Sequence, residues 1–463
     1  MSKSENEEEN PREEEEEVIQ HHDVCASIAS IAGNALEWYD FGVFGYFSDI
    51  IGDVFFPPNQ TGNAALVKTF AVFGGAFLVR PIGGVLIGIL GDNVGRKSAV
   101  QTSIFLMVFP TVALGCLPTY EMAGGFATFL LIIMRLLQGL SVGGQLMSSV
   151  VFTLERTDES RWGLWGSSVF AVSSLGVSLG SFLSYILRQS LDQEQLRTWG
   201  WRLPFLLGIF GVLPGVYLKY HAKEHHVDES NTTNSSADEP HAPLERKNTF
   251  IEALKPSNRR ALISSALVPC LSAATYYIVF IWLAVFMESI LTPPIPHAFA
   301  INTAVGLVGI LFVFVGGWLA DRLRRYRLLM FLSSAAIAIA GPLALHLISL
   351  GDPGVAFVSQ AAIALFLAIW QGSMIPWMIK NFPPNVRLTS VSLGYNLAVM
   401  ICGGFAPAVA TLLVDNVSVT SPGYIMTVLT FVSWIGLCIV PKQETLQNDD
   451  NLQLQKNSEV QLT

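Results

Sequence analysis

The sequence predicts an all-α membrane protein with twelve transmembrane helices. Of its 463 residues, 51% are hydrophobic and only 14% are charged, whereas about 25% of the residues in a soluble domain are charged. The mean hydropathy is +0.47. Twelve apolar stretches approach the roughly 20 residues that a helix needs to cross a bilayer. They lie near residues 24–46, 66–90, 98–118, 123–150, 163–187, 202–220, 261–287, 298–320, 327–350, 354–379, 389–414 and 423–441.

A long polar segment divides the twelve stretches into two sets of six. It begins at His221 as "HAKEHHVDESNTTNSSADEP", and its wealth of Ser, Thr, Asn, Glu and Pro is typical of a flexible linker. The predicted organisation is an acidic disordered N-terminal tail (1–23), a first six-helix half (24–220), a cytoplasmic linker (221–260), a second six-helix half (261–441) and a disordered C-terminal tail (442–463).

The basic residues predict the orientation, because loops that face the cytoplasm carry an excess of Lys and Arg. With the N-terminus inside, 21 of the 27 Lys and Arg residues fall in inside segments, 3 fall in outside segments and 3 fall in or at the ends of spans. The N-terminal run "MSKSENEEENPREEEEE" is acidic, whereas a signal peptide begins with a basic region. We therefore expect both termini in the cytoplasm and the protein in the plasma membrane.

One loop pattern recurs at matching positions of the two halves. "GILGDNVGRK" begins at Gly88 and "GGWLADRLRR" begins at Gly316. Each combines a small residue with an aspartate that can face a helix N-terminus and with basic residues that can pair with acids. An ordinary positive-inside loop explains either one alone but not the repetition. The predicted gating residues in these loops are Gly88, Asp92, Gly95, Arg96, Lys97, Asp321 and Arg322.

The first loop resembles the signature loop of the major facilitator superfamily, Gly-x-x-x-Asp-x-x-Gly-Arg-Lys. Five motifs narrow the resemblance: "GNALEWYDFGVFGY", "FLVRPIGGVLIGILGDNVGRK", "RLLQGLSVGGQ", "WGWRLPFLLG" and "VSLGYNLAVMICGGFAPAVATLL". In this order, and over residues 28–440, they are similar to the metabolite:proton symporter family. That family includes transporters of proline and betaine, shikimate, citrate and α-ketoglutarate.

The resemblance implies a fold and a mechanism. It implies the major facilitator fold, in which two pseudo-symmetric six-helix bundles surround a central site near the bilayer midplane and the site opens alternately to each side. It implies that an ion gradient, rather than ATP, drives transport. It also implies a gating role for Glu155 and Arg161, which follow the fourth stretch.

The segment "GNALEWYDFG", which begins at Gly33, places two acids inside the first stretch. Asn34, Glu37, Asp40 and Phe44 share roughly one helical face. A carboxylate at membrane depth is rare and usually faces the bundle interior. Burial disfavours its charged form and a nearby arginine favours it, so a balanced group can bind and release a proton. We expect Asp40, Glu37 or both to carry the coupled proton; the alternative is a static buried ion pair.

Other polar residues of the first half are candidate partners for these acids. Arg135, Gln138 and Gln145 form a polar stripe at helical spacing in the fourth stretch, and Arg80 precedes a proline in the second. Either arginine could pair with one of the acids or bind a substrate carboxylate through two hydrogen bonds. Together with Asn34, these residues are predicted to line the central cavity.

The second half contributes uncharged candidates, because its stretches contain almost no ionisable residues. Tyr276 and Tyr277 occur in "AATYYIVF", and Gln371 occurs in "WQGSMIPWM". We expect them to line the central cavity; a tyrosine can instead simply pack with its hydroxyl satisfied.

Three residues depart from the family pattern. Gln145 stands where the family commonly has Glu, Trp162 stands where an Arg precedes the loop glycine, and Lys380 stands where an acid precedes "FPPNVR". We expect Lys380 to lie beside Arg324 and Arg325 and to repel them rather than to form a pair.

The sequence thus predicts a proton-coupled symporter that imports a small carboxylate-bearing or zwitterionic metabolite. The alternatives are an uncoupled facilitator, a proton-driven efflux antiporter, or a transport-inactive sensor on the same fold. The sequence has no nucleotide loop, nucleophile elbow or metal-ligand spacing, and its five cysteines are scattered. We expect no enzyme activity, no cofactor and no metal. The expected partners are the substrate, protons and the lipid bilayer, without nucleic acid, and the protein is expected to act as a monomer.

Overall fold

The computed structural model describes residues 34–58, 63–93, 96–143, 145–155, 157–213, 216, 251, 253–383 and 386–440. All regular elements in these residues are helical. The tails at 1–23 and 442–463 lie outside them, as does most of the linker at 221–260, so their disorder stays a prediction.

Twelve helices, α1 to α12, follow one another in the described part of the chain. The first half contains α1 (34–46, continued by Ser48–Phe55), α2 (Ala64–Leu78 and Arg80–Asn93), α3 (Arg96–Gly115), α4 (Gly125–Val142 and Gln145–Glu155), α5 (Trp162–Ser190) and α6 (Arg202–Leu207, continued by Gly208–Gly211). The second half contains α7 (Pro256–Ile290), α8 (Ala298–Leu323), α9 (Tyr326–Ile348), α10 (Pro353–Lys380), α11 (Arg387–Asn416) and α12 (Gly423–Ile439). Each helix overlaps one predicted stretch, although α1 continues to Phe55, beyond the predicted end at residue 46. This agreement confirms the prediction of a twelve-helix membrane protein.

The helices differ in how much of their apolar surface is covered. Eight of them, α2, α4, α5 and α7 to α11, are long and apolar enough to cross a membrane by length and composition. α7 is buried throughout its most apolar stretch, whereas α12 leaves Tyr424, Val428, Phe431 and Ile435 exposed along one side. Such a stripe is unfavourable in water and suits a helix that borders lipid. The chain is therefore an integral membrane protein with α7 in its interior.

The two halves repeat the same internal packing. α4 packs against α2 and α3, and α10 packs against α8 and α9. Likewise, α3 contacts α6 and α9 contacts α12. Adding six to each helix number converts the first set of contacts into the second, so the loop repeat seen in the sequence reflects a repeated bundle of six helices.

The halves meet through two related pairs of helices. α5 packs along α8, and α2 packs along α11. The two pairs are equivalent, because α11 corresponds to α5 and α8 corresponds to α2 in the repeat. Small residues stand at the first contact, where Gly163 of α5 faces Gly317 of α8. Small residues let membrane helices approach closely without a large side chain between them. The central site lies between these two contacts.

Candidate functional site

An ion pair lies inside the first half, between α1 and α4. Arg135 Nη1 is 3.4 Å from Asp40 Oδ2, and the two side chains are 0% and 3% exposed. The same Nη1 donates to Gln138 Oε1 at 2.7 Å, and Gln138 Nε2 donates to Thr111 Oγ1 at 2.9 Å. The Asp40 contact is longer than the about 2.7–2.9 Å of a strong charge-assisted hydrogen bond. Since Asp40 Oδ1 has no hydrogen-bond partner in the described residues, this carboxylate is held loosely.

Aromatic rings pack on both buried arginines. The Arg135 guanidinium lies 4.1 Å from the centre of the Phe44 ring and 4.7 Å from that of Phe41. The Arg80 guanidinium, on α2, lies 4.0 Å from the centre of the Phe77 ring and 4.8 Å from that of Phe41. The face of an aromatic ring attracts a cation. These contacts therefore offset part of the hydration that the two arginines lose on burial.

Glu37 completes a group of four charged residues. It is buried one helical turn before Asp40, and Arg80 is the charged residue that acts most strongly on it, followed by Asp40. The sequence left open which arginine meets which acid. The structure places Arg135 beside Asp40, and Arg80 is the arginine whose charge acts on Glu37. With two acids and two bases, the formal charges of the group cancel.

A small cavity lies beside the two acids, between α1, α3, α4 and α6. Its volume is about 30 Å³, and its walls include Glu37, Asp40 and the hydroxyl-bearing Ser103, Thr111 and Ser141. That volume has room for about two water molecules. The sequence did not single out these hydroxyl residues, because Ser and Thr in apolar helices often bond only to their own backbone. Only the packing of four helices brings them to the acids.

A second cavity lies between the two halves. Its walls include Trp38 of α1, Ser173 of α5, Tyr276 and Tyr277 of α7 and Gln371 of α10. Its volume is about 10 Å³, which leaves room for about one water molecule. This central cavity is therefore closed to a metabolite in the conformation described here.

The predicted cavity residues divide between the two places. Tyr276, Tyr277 and Gln371 stand on the wall of the central cavity. Arg80, Arg135 and Gln138 do not; they lie one layer away, inside the first half. Asn34 joins α1 to this wall because its Nδ2 donates to Ser173 Oγ at 3.1 Å. Trp38 and Tyr395 also line the cavity. The sequence did not predict this role, although both residues occur in the quoted motifs, because an aromatic residue in an apolar stretch usually serves only in packing.

At one end of the protein, where the Gly316–Arg325 loop lies, an aspartate bridges the halves. We call this the repeat-loop end. Asp321 Oδ1 accepts a hydrogen bond from Gly163 N at 2.6 Å, and Oδ2 accepts one from Leu164 N at 2.8 Å. These two amides begin α5, and a helix N-terminus favours a carboxylate through its free N–H groups and its dipole. Asp321 of the second half therefore caps a helix of the first.

The structure corrects the expectation that Lys380 repels its neighbours rather than forming a pair. Lys380 Nζ lies 3.4 Å from Glu159 Oε2 and 5.4 Å from the centre of the Trp162 ring. Both contacts are attractive across the two halves. The sequence could not show this, because Glu159 and Trp162 reach Lys380 only through the packing of α5 against the second half. Trp162 and Lys380, two departures from the family pattern, thus contact each other.

Hydrogen bonds also join the halves at the opposite end. The Tyr46 hydroxyl of α1 donates to the Phe280 carbonyl of α7 at 2.6 Å. Asn302 Nδ2 of α8 donates to Ser181 Oγ of α5 at 3.0 Å, and Ser289 Oγ of α7 donates to Asp49 Oδ2 of α1 at 2.8 Å. With Asp321 at the repeat-loop end, contacts close the central cavity at both ends.

The remaining predicted gating residues are described only in part. Arg161 lies in the exposed turn Glu159–Arg161, and Arg322 is exposed at the end of α8. Gly95 lies outside the described residues. Gly88, Asp92, Arg96, Lys97, Gln145 and Glu155 are described in their backbone only, as parts of α2, α3 and α4. Their predicted roles stay predictions. In the part of the chain that is described, no group of three or more His, Cys, Asp or Glu residues is placed to hold a metal ion.

Comparison with known proteins places this site in context. Residues 25–447 match the family model described as "Sugar (and other) transporter". A putative proline/betaine transporter of Staphylococcus aureus (strain COL) is 30% identical over 410 residues, which are 88% of this chain and 86% of that protein. The citrate-proton symporter of Klebsiella pneumoniae is 28% identical over 420 residues, covering 90% of this chain and 91% of that protein.

Solved structures share the fold. The xylose transporter XylE from E. coli, in a partially occluded inward-open conformation, aligns with a TM-score of 0.69 and 18% identity over 91% of this chain and 98% of that one. A second structure, of the major facilitator superfamily proton:xylose symporter XylE with 6-bromo-6-deoxy-D-glucose, aligns with a TM-score of 0.67, at 17% identity over 91% of this chain and 96% of that one. At these identities the likeness concerns the fold alone.

Proposed function

Because the chain belongs to the sugar (and other) transporter family of the major facilitator superfamily, we propose that it is a proton-coupled symporter that imports a small carboxylate-bearing or zwitterionic metabolite by alternating access. The observation that carries the proposal is the buried group formed by Glu37, Asp40, Arg80 and Arg135 beside a cavity large enough for water. A protein of the same fold that only scaffolds or senses has no need to keep two acids at membrane depth.

Asp40 is the leading candidate for the coupled proton. Its neutral form is favoured by burial, and its charged form is favoured by Arg135. The 3.4 Å separation from Arg135 and the unpartnered Oδ1 support a carboxylate that can release this partner and accept a proton. Glu37 lines the same cavity and is the second candidate.

Alternating access is supported by the distribution of contacts between the halves. Those at the repeat-loop end involve Asp321 and Lys380, and those at the opposite end involve Tyr46 and Asn302. Either set can break while the other holds, which opens the central cavity to one side only. The excess of Lys and Arg favours the cytoplasm as the side of the repeat-loop end, with both termini there. We also propose that the protein acts as a monomer in the plasma membrane.

The energy available from protons is large enough to detect in an uptake assay. A gradient of ~1 pH unit supplies ~1.4 kcal/mol per proton, and a potential of ~100 mV adds ~2.3 kcal/mol per charge. For one proton per solute, the sum corresponds to roughly 500-fold accumulation of a neutral solute.

The proposal is tested by uptake into proteoliposomes that are acidic outside, with a labelled panel of di- and tricarboxylates, shikimate, proline and betaine. We expect one compound to accumulate and a protonophore to abolish its accumulation. Asp40→Asn should reduce accumulation to simple equilibration, about onefold, while exchange of labelled for unlabelled substrate continues. Asp192→Asn is the matched control, because Asp192 is an exposed cap of a short turn. If the wild-type protein only equilibrates the labelled substrate, the protein is a facilitator. If variants of Asp40 and Glu37 accumulate the substrate as the wild type does, these acids are not the coupling site.

A further inference from the structure

Aromatic rings from both halves form the wall of the central cavity. Trp38 of α1 and Tyr277 of α7 have ring planes 17° from parallel and ring centres 6.3 Å apart. Tyr276 stands at 77° to Trp38, with centres 5.4 Å apart, and at 86° to Tyr277. These three residues, which we call the aromatic box, present two nearly parallel rings and one transverse ring.

The described wall of this cavity carries no formal charge. Besides the aromatic box, it includes Phe170, Ser173, Ser272, Gln371 and Tyr395. Two buried cations, Arg80 and Arg135, are packed on phenylalanine rings in the first half, and Arg80 acts on the Tyr277 hydroxyl from behind the wall. A di- or tricarboxylate would therefore meet no charged side chain on the wall itself, and its several negative charges would lose hydration with Arg80 and Arg135 only behind the wall.

The wall does offer hydrogen-bond donors that are not used within the protein. The Trp38 indole N–H and the hydroxyls of Tyr276 and Tyr277 are buried and have no hydrogen-bond partner in the described residues. A buried donor without a partner is unfavourable. Three such donors around one cavity suit a ligand that brings acceptor oxygens, and a single carboxylate does so.

We propose that the aromatic box binds the N-alkylated ammonium group of a small zwitterion, and that the unpartnered donors of the same wall bind the carboxylate of that zwitterion. An ammonium group whose protons are replaced by alkyl groups cannot be satisfied by hydrogen bonds, and the faces of Trp and Tyr attract it through the ring quadrupole. This inference names the substrate class of the transport proposed above. Binding by the aromatic box does not depend on that proposed function, whereas transport of the bound zwitterion does.

The geometry of the closed state is compatible with this binding. Trp38 belongs to the first half and Tyr277 to the second, so separation of the halves widens the gap between their parallel faces. A cation midway between two rings stays within about 6 Å of both ring centres until they are about 12 Å apart. The present separation of 6.3 Å can therefore increase by several ångströms before the box loses contact with its ligand.

The test compares two ligands of the same shape that differ in one atom. Glycine betaine carries a quaternary ammonium, and 3,3-dimethylbutanoate replaces its nitrogen with carbon while keeping the carboxylate. Binding of each to the purified full-length protein is measured by calorimetry without a proton gradient, with succinate and xylose as further probes. We expect betaine to bind about tenfold more tightly than its carbon analogue, which is the scale of a desolvated cation–π contact.

Variants of Trp38 show whether the box causes this preference. Trp38→Phe keeps an aromatic face, so the betaine preference should persist. Trp38→Leu removes one of the three rings and leaves those of Tyr276 and Tyr277, so the preference should fall severalfold. Tyr185→Leu is the control, because Tyr185 packs on His297 away from the cavity and should leave the ratio unchanged. Because both ligands carry a carboxylate, the ratio does not depend on the lost indole N–H.

The outcomes separate this inference from the proposed symport. Equal binding of betaine and its carbon analogue, or tightest binding of succinate or xylose, overturns the aromatic box. If Trp38→Leu does not fold, the wild-type ratio and Trp38→Phe still decide the matter. Betaine bound by the box but never accumulated would support this inference and overturn coupling to protons. Proton-driven accumulation of a dicarboxylate without betaine binding would do the reverse.

Discussion

At the scale of single residues, the Asp40–Arg135 pair is the most deeply buried ion pair among the described residues of the first half. Two charges in a low-dielectric interior lose hydration, and their mutual attraction repays this only when the remaining polar atoms are satisfied. Arg135 meets part of this requirement through Gln138 and the phenylalanine rings, whereas one Asp40 oxygen has no partner. A pair of this kind contributes little net stability but is damaging to break.

The first prediction concerns this pair. Arg135→Gln should lower the free energy of unfolding by about 3–5 kcal/mol, because it leaves a buried carboxylate without its counter-charge. The double variant Asp40→Asn/Arg135→Gln removes both charges and should lose less than the sum of the two single variants. Thermal unfolding of the four purified proteins in detergent measures this cycle. Losses that add within about 0.5 kcal/mol would show that the two side chains do not interact.

At the scale of helices, glycine decides how closely α2 and α4 pack. A Cβ atom at Gly139 of α4 would overlap the Ala76 carbonyl of α2, and one at Gly143 would overlap the Arg80 carbonyl. These positions are one helical turn apart, so both glycines face α2. The close approach also sets the distance between Arg80, on α2, and Arg135, on α4.

The second prediction tests this contact with two alanine variants. Gly139→Ala should lower the Tm and the yield of folded protein, because the obstructing atom is backbone and cannot turn away. Gly75→Ala is the matched control on α2, since no atom lies within 4 Å of an added Cβ there. Alanine favours helix over glycine by about 1 kcal/mol, so Gly75→Ala should leave the Tm unchanged or raise it slightly. Size-exclusion chromatography with thermal unfolding measures both, and equal behaviour of the variants would contradict the close approach.

Another helix-scale feature is the irregular turn in the middle of α7. Residues Ile278–Trp282 form a π-helical turn directly after Tyr276 and Tyr277. The Val279 carbonyl accepts a hydrogen bond from Gln360 Nε2 at 2.7 Å, and the Phe280 carbonyl accepts one from Tyr46. Such turns are frequent at functional sites because they free backbone groups from the regular pattern. Here they allow α7 to bond to both halves beside the central cavity.

At the scale of the whole molecule, the contacts between the halves differ in strength. The Lys380–Glu159 pair is partly exposed on both sides, so solvent and salt screen it and its contribution is small. The Asp321 carboxylate instead accepts two backbone hydrogen bonds at a helix N-terminus. Hydrogen bonds to charged groups are worth about 1.5–3 kcal/mol each. Asp321 is therefore the principal polar contact at the repeat-loop end.

The third prediction follows from this ranking. Asp321→Ala should increase the fraction of molecules that are open at the repeat-loop end. The control is Asp352→Ala, because Asp352 also accepts a backbone N–H, that of Val355, but within its own half. The measurement is alkylation of Ser272→Cys on the cavity wall, in a background without other cysteines, by an impermeant maleimide in vesicles of both orientations. We expect at least about tenfold faster labelling from one side only in the Asp321 variant. Equal rates in the two variants would show that Asp321 does not hold the halves together.

Much of the fold follows from local patterns in the chain. Apolar stretches of bilayer length predict α1 to α12, because a membrane helix must satisfy its backbone internally and face lipid or protein with apolar side chains. The repeated loops at Gly88 and Gly316 predict the two halves, and the acids of α1 stand out because charge is rare at that depth. These features can be predicted from the sequence because each depends on residues within a few helical turns of one another.

Local patterns in the chain therefore predict the class of protein, its helices, its internal repeat and the importance of the two acids in α1. The packing of the helices was needed to show that Arg135 meets Asp40, that the arginines lie behind the cavity wall, and that Lys380 contacts an acid and an aromatic ring. It also decided that Trp38 and Tyr277 face each other across the halves. The physical reason is that a contact between helices depends on their rotation and close approach, which are set by packing across the whole bundle.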